Sequence, residues 1–163
     1  MNQQATNKEL YETLVLPVVN SFLEGVNGTV MVYGPTGSGK TYTMIGDENK
    51  REELRSYKNI ETIYNSNANG VLLCAMENIL QKVLRGDDKC TCILKCSYIE
   101  VYNDFVYDLL QEKGMLQTPL TINELDSKEF VLKGGIEWSI RSAQDFFEAI
   151  KRGEGKFLKR KNS

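Results

Sequence analysis

Residues Gly34-Pro35-Thr36-Gly37-Ser38-Gly39-Lys40-Thr41 fit the pattern G-x-x-x-x-G-K-S/T at every position. No other stretch constrains the fold as tightly. Its glycines must turn backbone N–H groups around an anion, its lysine must reach the terminal phosphates, and its threonine hydroxyl must ligate Mg²⁺. That geometry calls for a strand, a tight loop and a helix N-terminus in succession, because unpaired N–H groups and the helix dipole both favour a phosphate there. The flanks supply each part. Asn27-Gly28 is a turn pair, Thr29-Val30-Met31-Val32-Tyr33 is rich in β-branched and aromatic residues, and Lys40 to Ile45 can open a helix before Gly46 breaks it. The expectation is a strand over 29–33 and a bound nucleoside triphosphate, with Thr41 as the Mg²⁺ ligand.

Composition removes other chemistries. The chain has 163 residues, enough for one domain, and its hydrophobic content of 41% and charged content of 26% are ordinary for a soluble globular protein. A formal net charge of −2 argues against general binding to nucleic acid or a membrane surface. Residues 1–7 are polar and no run of 18 apolar residues occurs, so neither a signal peptide nor a membrane span is expected and the cytoplasm is the default compartment. The chain has no histidine, which excludes Ser-His-Asp and Cys-His catalysis and histidine metal ligation. Cys90, Cys92 and Cys96 lie in a strand-like run, where a rise of about 3.3 Å per residue puts the outer two roughly 20 Å apart, too far for one ion. With Cys74 they read as small buried hydrophobes in a reducing compartment.

Along the chain, residues 8–24 read as an amphipathic helix with Leu10, Leu14, Val18 and Phe22 on its inner face. Pro17 either kinks that helix or marks its first turn, so the well-formed part is expected to begin near Leu16. Residues 46–69 form a polar insertion without assigned chemistry. Residues 70–84 read as a core helix carrying Leu72, Leu73, Met76, Ile79, Leu80, Val83 and Leu84, capped by Gly86. Residues 90–102 are nearly continuously apolar, as a central strand covered on both faces would be. Strands are expected over 120–125 and 129–133, with Gly134-Gly135 turning a hairpin into a strand over 136–141. Ser142 to Asp145 is a capping box for a helix whose Phe146, Phe147 and Ile150 face inward and which ends near Gly153. Residues 154–163 form a basic tail.

The string Leu23-Glu24-Gly25-Val26-Asn27-Gly28-Thr29-Val30, running into Tyr33-Gly34-Pro35-Thr36-Gly37-Ser38-Gly39-Lys40-Thr41-Tyr42-Thr43-Met44, resembles the nucleotide-binding core of kinesin motor domains. Val26 stands where that family usually has Tyr, Pro35 where it has Gln, and Leu73-Cys74 where a Pro-Arg pair is frequent. None of the three removes a phosphate ligand. A second match, in the same order as in the family, covers Ser97-Tyr98-Ile99-Glu100-Val101-Tyr102-Asn103-Asp104 and Asp108-Leu109-Leu110, and Gly134, Glu137 and Ser142 fall where kinesins have G-x-x-E-x-x-V-x-S. Read alone, Glu100 and Asp108 suggest paired carboxylates for acid–base work, but nothing else in the chain supports such a site.

The resemblance implies an α/β fold of the P-loop NTPase, kinesin-type class: three layers around a central, mostly parallel or mixed sheet, here incomplete. Residues 1–163 then form a partial motor domain. It further implies ATP and Mg²⁺ as cofactors, residues 34–41 as the phosphate loop, Tyr42 packed near the base, and a cytoskeletal setting with microtubules as partner. Hydrolysis also needs a positioned water, a second partner for Mg²⁺ and stabilisation of charge on the γ-phosphate. In kinesins those parts come from the switch motifs N-x-x-S-S-R-S-H and D-x-A-G-S-E, and neither string occurs here. The expectation is therefore the ATP-binding portion of a microtubule motor with no assigned catalytic residue. The alternatives are a non-hydrolysing nucleotide-binding or interaction module, or another P-loop NTPase, although no N/T-K-x-D guanine motif appears.

Overall fold

A computed structural model of the chain describes residues 5–47, 69–84, 92–112, 118–127 and 130–161. They divide into two compact units, Met1–Thr91 and Cys92–Ser163.

The first unit begins with α1, Asn7–Leu10, capped by Thr6. The Thr6 hydroxyl accepts from the Glu9 N–H and the Glu9 carboxylate accepts from the Thr6 N–H, a reciprocal pairing that satisfies two otherwise orphaned donors. A wide π-type turn, Tyr11–Val15, leads into α2, Leu16–Leu23, with Pro17 in its first turn where a missing N–H is harmless. That agrees with a well-formed helix starting near Leu16. The buried face differs from the expected one. Tyr11, Val15 and Val19 are buried while Leu14 and Phe22 are about half exposed, so the inner stripe lies one position later than the spacing of Leu10, Leu14, Val18 and Phe22 suggests. Apolar residues occupy both stripes, and a π-turn rotates the face that follows it; periodicity alone does not choose between them.

Helix α3, Lys40–Ile45, matches its expected bounds and ends at Gly46, whose φ of 99° lies in the left-handed region. Helix α4, Val71–Leu84, packs against α1, the π-turn, α2 and α3. Together they bury a cluster of Tyr11, Val15, Val19, Val71 and Cys74, with Met44 and Ile79 packed against it. Burial, then the neighbouring Glu77 carboxylate, pushes the Cys74 thiol up to about 11, so at neutral pH it stays a protonated hydrophobe. Gly46 and Asn69 form an isolated antiparallel bridge that clasps the two ends of the 46–69 insertion. Residues 48–68 of that insertion lie outside the described residues.

The run over 29–33 corrects the sequence expectation. It lies in no strand, and Met31 and Tyr33 are 80% and 94% exposed. A strand exists only through hydrogen bonds to a neighbour, and none of the described residues pairs with this run. Its β-branched composition is therefore a propensity without a partner among the described residues.

Among the described residues of the second unit, six short strands form three two-stranded antiparallel ladders. Strand β1, Leu94–Cys96, pairs with β6, Trp138–Ile140; β2, Ile99–Tyr102, pairs with β3, Phe105–Asp108; and β4, Thr121–Glu124, pairs with β5, Phe130–Lys133. No parallel pair occurs among the described residues. The expected single buried strand over 90–102 is thus two strands with alternating exposure, broken at Ser97-Tyr98, where the Tyr98 carbonyl accepts from the Leu109 N–H. Cys92 is exposed and Cys96 half-buried, against the expectation that both are core residues; Cys90 lies outside the described residues. Asn103 and Asp104 join β2 to β3 with φ of 49° and 64°, left-handed at both positions, as in the turn whose twist matches a tight hairpin. The expected Gly134-Gly135 hairpin does not form: β5 turns back on β4, and β6 pairs with β1.

Helix α5, Ala143–Lys161, opens at Ser142, whose hydroxyl accepts from the Asp145 N–H. The Asp145 carboxylate in turn accepts from the Arg141 N–H, which holds its carboxyl below the usual carboxylate range. Phe146, Phe147 and Ile150 are buried as expected. The helix does not stop near Gly153. That residue lies against the Tyr98 ring, so its missing Cβ serves packing rather than termination, and the backbone stays helical into the basic segment.

Candidate phosphate-binding site and family

The loop over 34–39 joins the unpaired run to α3. Gly37 and Gly39 adopt φ of 83° and 88°, a conformation that costs a Cβ-bearing residue roughly 1 kcal/mol or more. Nothing stands within 4 Å of a Cβ built at either, so these glycines answer to backbone conformation and not to crowding. Gly39 caps α3, and the first backbone bond across it runs from the Thr43 N–H to the Gly39 carbonyl. The N–H groups of Lys40, Thr41 and Tyr42 therefore precede the first helical donor, Thr43, as orphan donors at a helix start do. Pro35 donates no N–H, but its carbonyl accepts from the Ser38 N–H at 3.2 Å and tightens the loop.

The Lys40 ammonium lies over this loop, donating to the Gly34 carbonyl at 2.9 Å and the Pro35 carbonyl at 2.7 Å. It is the positive charge nearest residues 36–39 in sequence, and it rides on the helix that follows them. Thr41 and Tyr42 are exposed in the first turn of α3. Among the described residues no group of three or more His, Cys, Asp or Glu side chains is placed to hold a metal.

Every residue singled out in the sequence, from Gly34 to Tyr42, thus lies on one continuous loop and helix start. A partner of that helix was missed. The Asn7 side chain, 7% exposed, donates from Nδ2 to the Tyr42 carbonyl at 3.0 Å. The sequence signal was present in Thr6-Asn7-Lys8-Glu9, a capping-box spacing that starts the helix at Asn7 and so takes it out of the polar tail.

Glu100 and Asp108 do not form a site. Glu100 stands opposite Tyr107 in the ladder, and Asp108, 2% exposed, accepts from the Leu110 N–H at 2.7 Å and the Ile136 N–H at 2.8 Å. Both Asp108 oxygens are occupied with backbone donors, which makes it a clamp between the end of β3 and the approach to β6. Asp108→Asn is expected to cost about 1–3 kcal/mol, because one oxygen becomes an NH₂ facing an N–H. Chemical denaturation measures this, and an unchanged midpoint would show that the clamp carries no stability. Arg152 adds a second tie, donating to the Leu110 carbonyl at 3.2 Å while lying 4.8 Å from the Trp138 ring centre.

Comparison with known proteins bears on the whole chain. The family model for the kinesin motor domain matches residues 1–161. The chain is 30% identical over 152 residues to the mouse kinesin-like protein KIF15, covering 91% of this chain and 10% of that protein. It is 32% identical over 146 residues to a kinesin heavy chain of Botryotinia fuckeliana, covering 90% and 15%, and 31% identical over 149 residues to human centromere-associated protein E, covering 91% and 5%. A solved structure of a fast kinesin superposes with a TM-score of 0.75 at 27% identity, over 93% of this chain and 38% of that one. The chain therefore spans a small part of the length of the curated relatives it matches. No helix among the described residues is long and apolar enough to cross a membrane. The fold class expected from the sequence is that of the structural neighbour, and the chain belongs to the kinesin motor domain family.

Proposed function

We propose that this chain is the ATP-binding portion of a microtubule motor, holding Mg-ATP through the loop over 34–41. The observation that carries the reading is the coincidence of two left-handed glycines, a helix opening at Lys40 and an ammonium lying over the same loop, in a member of the kinesin family. In it the N–H groups of Gly37 to Thr41 and the Lys40 ammonium hold the phosphate tail, Thr41 ligates Mg²⁺, and Tyr42 lies beside the base. The bound ion supplies charge neutralisation on the phosphates; the chain's own residues bind and orient.

Residues 1–163 form a partial motor domain on this reading, with microtubules as partner and the cytoskeleton as setting of the whole protein. The matched relatives include proteins named as kinesins, and the structural neighbour's title refers to interactions with microtubules. Hydrolysis on this reading needs the switch motifs that position water and follow the γ-phosphate, and neither string occurs in these residues, so this chain on its own is expected to bind nucleotide without filament-stimulated turnover. Phosphate release measured with and without added microtubules is the test: a slow, unresponsive rate is expected, and a rate that climbs with microtubule concentration would contradict it.

A further inference from the structure

The phosphate loop leads into a helix that cannot hold its own direction. Helix α3 has six residues, far below the length at which a helix is stable alone, and its first residue follows a flexible left-handed glycine. Lys40 and Thr41 project from this helix, so any tilt of α3 moves both relative to a phosphate. Helix α4 packs against it, and its first turn carries one further tie.

There the Tyr42 carbonyl accepts two hydrogen bonds, from the Gly46 N–H at 2.9 Å along the helix and from the Asn7 side chain at 3.0 Å across from α1. The Asn7 bond is local to neither segment: it spans 35 residues, and the side chain that makes it is almost wholly buried. Asn7 is itself held, as the first residue of a helix whose start is locked by the Thr6–Glu9 capping box. The arrangement is a rigid bracket in α1 holding a main-chain oxygen of α3, two residues beyond Lys40.

We infer that Asn7 is a positioning residue for nucleotide, acting through the Tyr42 carbonyl to set where Lys40 and Thr41 meet the phosphates. This rests on the nucleotide-binding reading above. It requires a donor at position 7, not bulk or polarity. Leucine keeps the volume and removes the donor; aspartate keeps the shape, suits a helix N-terminus and sets an oxygen against the Tyr42 oxygen. Glutamine keeps the amide.

The test is equilibrium binding of a fluorescent ATP analogue with Mg²⁺ to the full chain, comparing wild type, Asn7→Leu, Asn7→Asp, Asn7→Gln and Lys40→Ala. Loss of the Asn7 bond is expected to weaken binding about tenfold in both the Leu and Asp variants, the effect of one hydrogen bond to a carbonyl held in place, while Asn7→Gln stays within about threefold. If Leu or Asp fails to fold, the other decides. Lower melting temperature with unchanged affinity would make Asn7 structural only and overturn the inference, as would Asn7→Gln binding as weakly as Asn7→Leu. If Lys40→Ala binds like wild type, the phosphate-loop reading itself fails; if Lys40→Ala is weak and the donorless Asn7 variants are not, only the positioning role fails.

Discussion

Lys40→Ala is expected to weaken Mg-ATP binding about ten- to a hundredfold while leaving the far-ultraviolet circular dichroism unchanged. A charged hydrogen bond to phosphate contributes on the order of 1.5–3 kcal/mol, and no other ammonium lies on the loop over 34–41 to take its place. The stability cost is expected to stay below about 1 kcal/mol, since the bonds from Lys40 to the Gly34 and Pro35 carbonyls are partly exposed and replaceable by water. Isothermal titration resolves the two effects. Binding as tight as wild type in a folded Lys40→Ala chain would mean the loop does not hold phosphate.

The largest stability effect is expected from Gly70→Ala. Gly70 is buried beside the Gly46–Asn69 bridge, and a Cβ built on it falls on the Met44 carbonyl group and the Ile45 nitrogen. A side chain in that place can swing aside; a main-chain carbonyl in a helix cannot without moving the helix. The Gly70 carbonyl also accepts from the Leu73 and Cys74 N–H groups, so a shift here disturbs the start of α4 as well as the end of α3. Overpacking of this kind costs about 1–3 kcal/mol, and rigid neighbours place Gly70→Ala at the upper end. An unfolding free energy lowered by roughly 2–3 kcal/mol in urea denaturation is the expected result. A change below about 0.5 kcal/mol would mean that α3 and α4 approach less closely than described.

Local chemistry made much of this chain legible in its sequence. The bounds of α3 follow from Lys40 after glycine and the break at Gly46, α4 follows from its wide apolar stripe, and α5 opens where Ser142 and Asp145 put a cap. The misses share a cause, which is dependence on distant partners. The run over 29–33 has strand composition but no described neighbour; the pairing of β1 with β6 joins Leu94 to Ile140 across most of the second unit; and the inner face of the first helical segment turns on a π-turn that leaves no mark in apolar spacing. The loop over 34–39 was legible because it rests on backbone conformations that glycines announce. Asn7 was not, because its role appears only when α1 and α3 are brought together.

On the proposed reading, this chain recognises the polyphosphate tail of a nucleotide and not merely its base. Titration with ATP, ADP and AMP in the presence of Mg²⁺ tests it most directly. ATP and ADP are expected to bind, and AMP, which lacks the phosphates proposed to meet the Lys40 ammonium, is expected to bind at least about tenfold more weakly. Equal affinity for ATP and AMP, or no binding of any of the three to a folded chain, would contradict it.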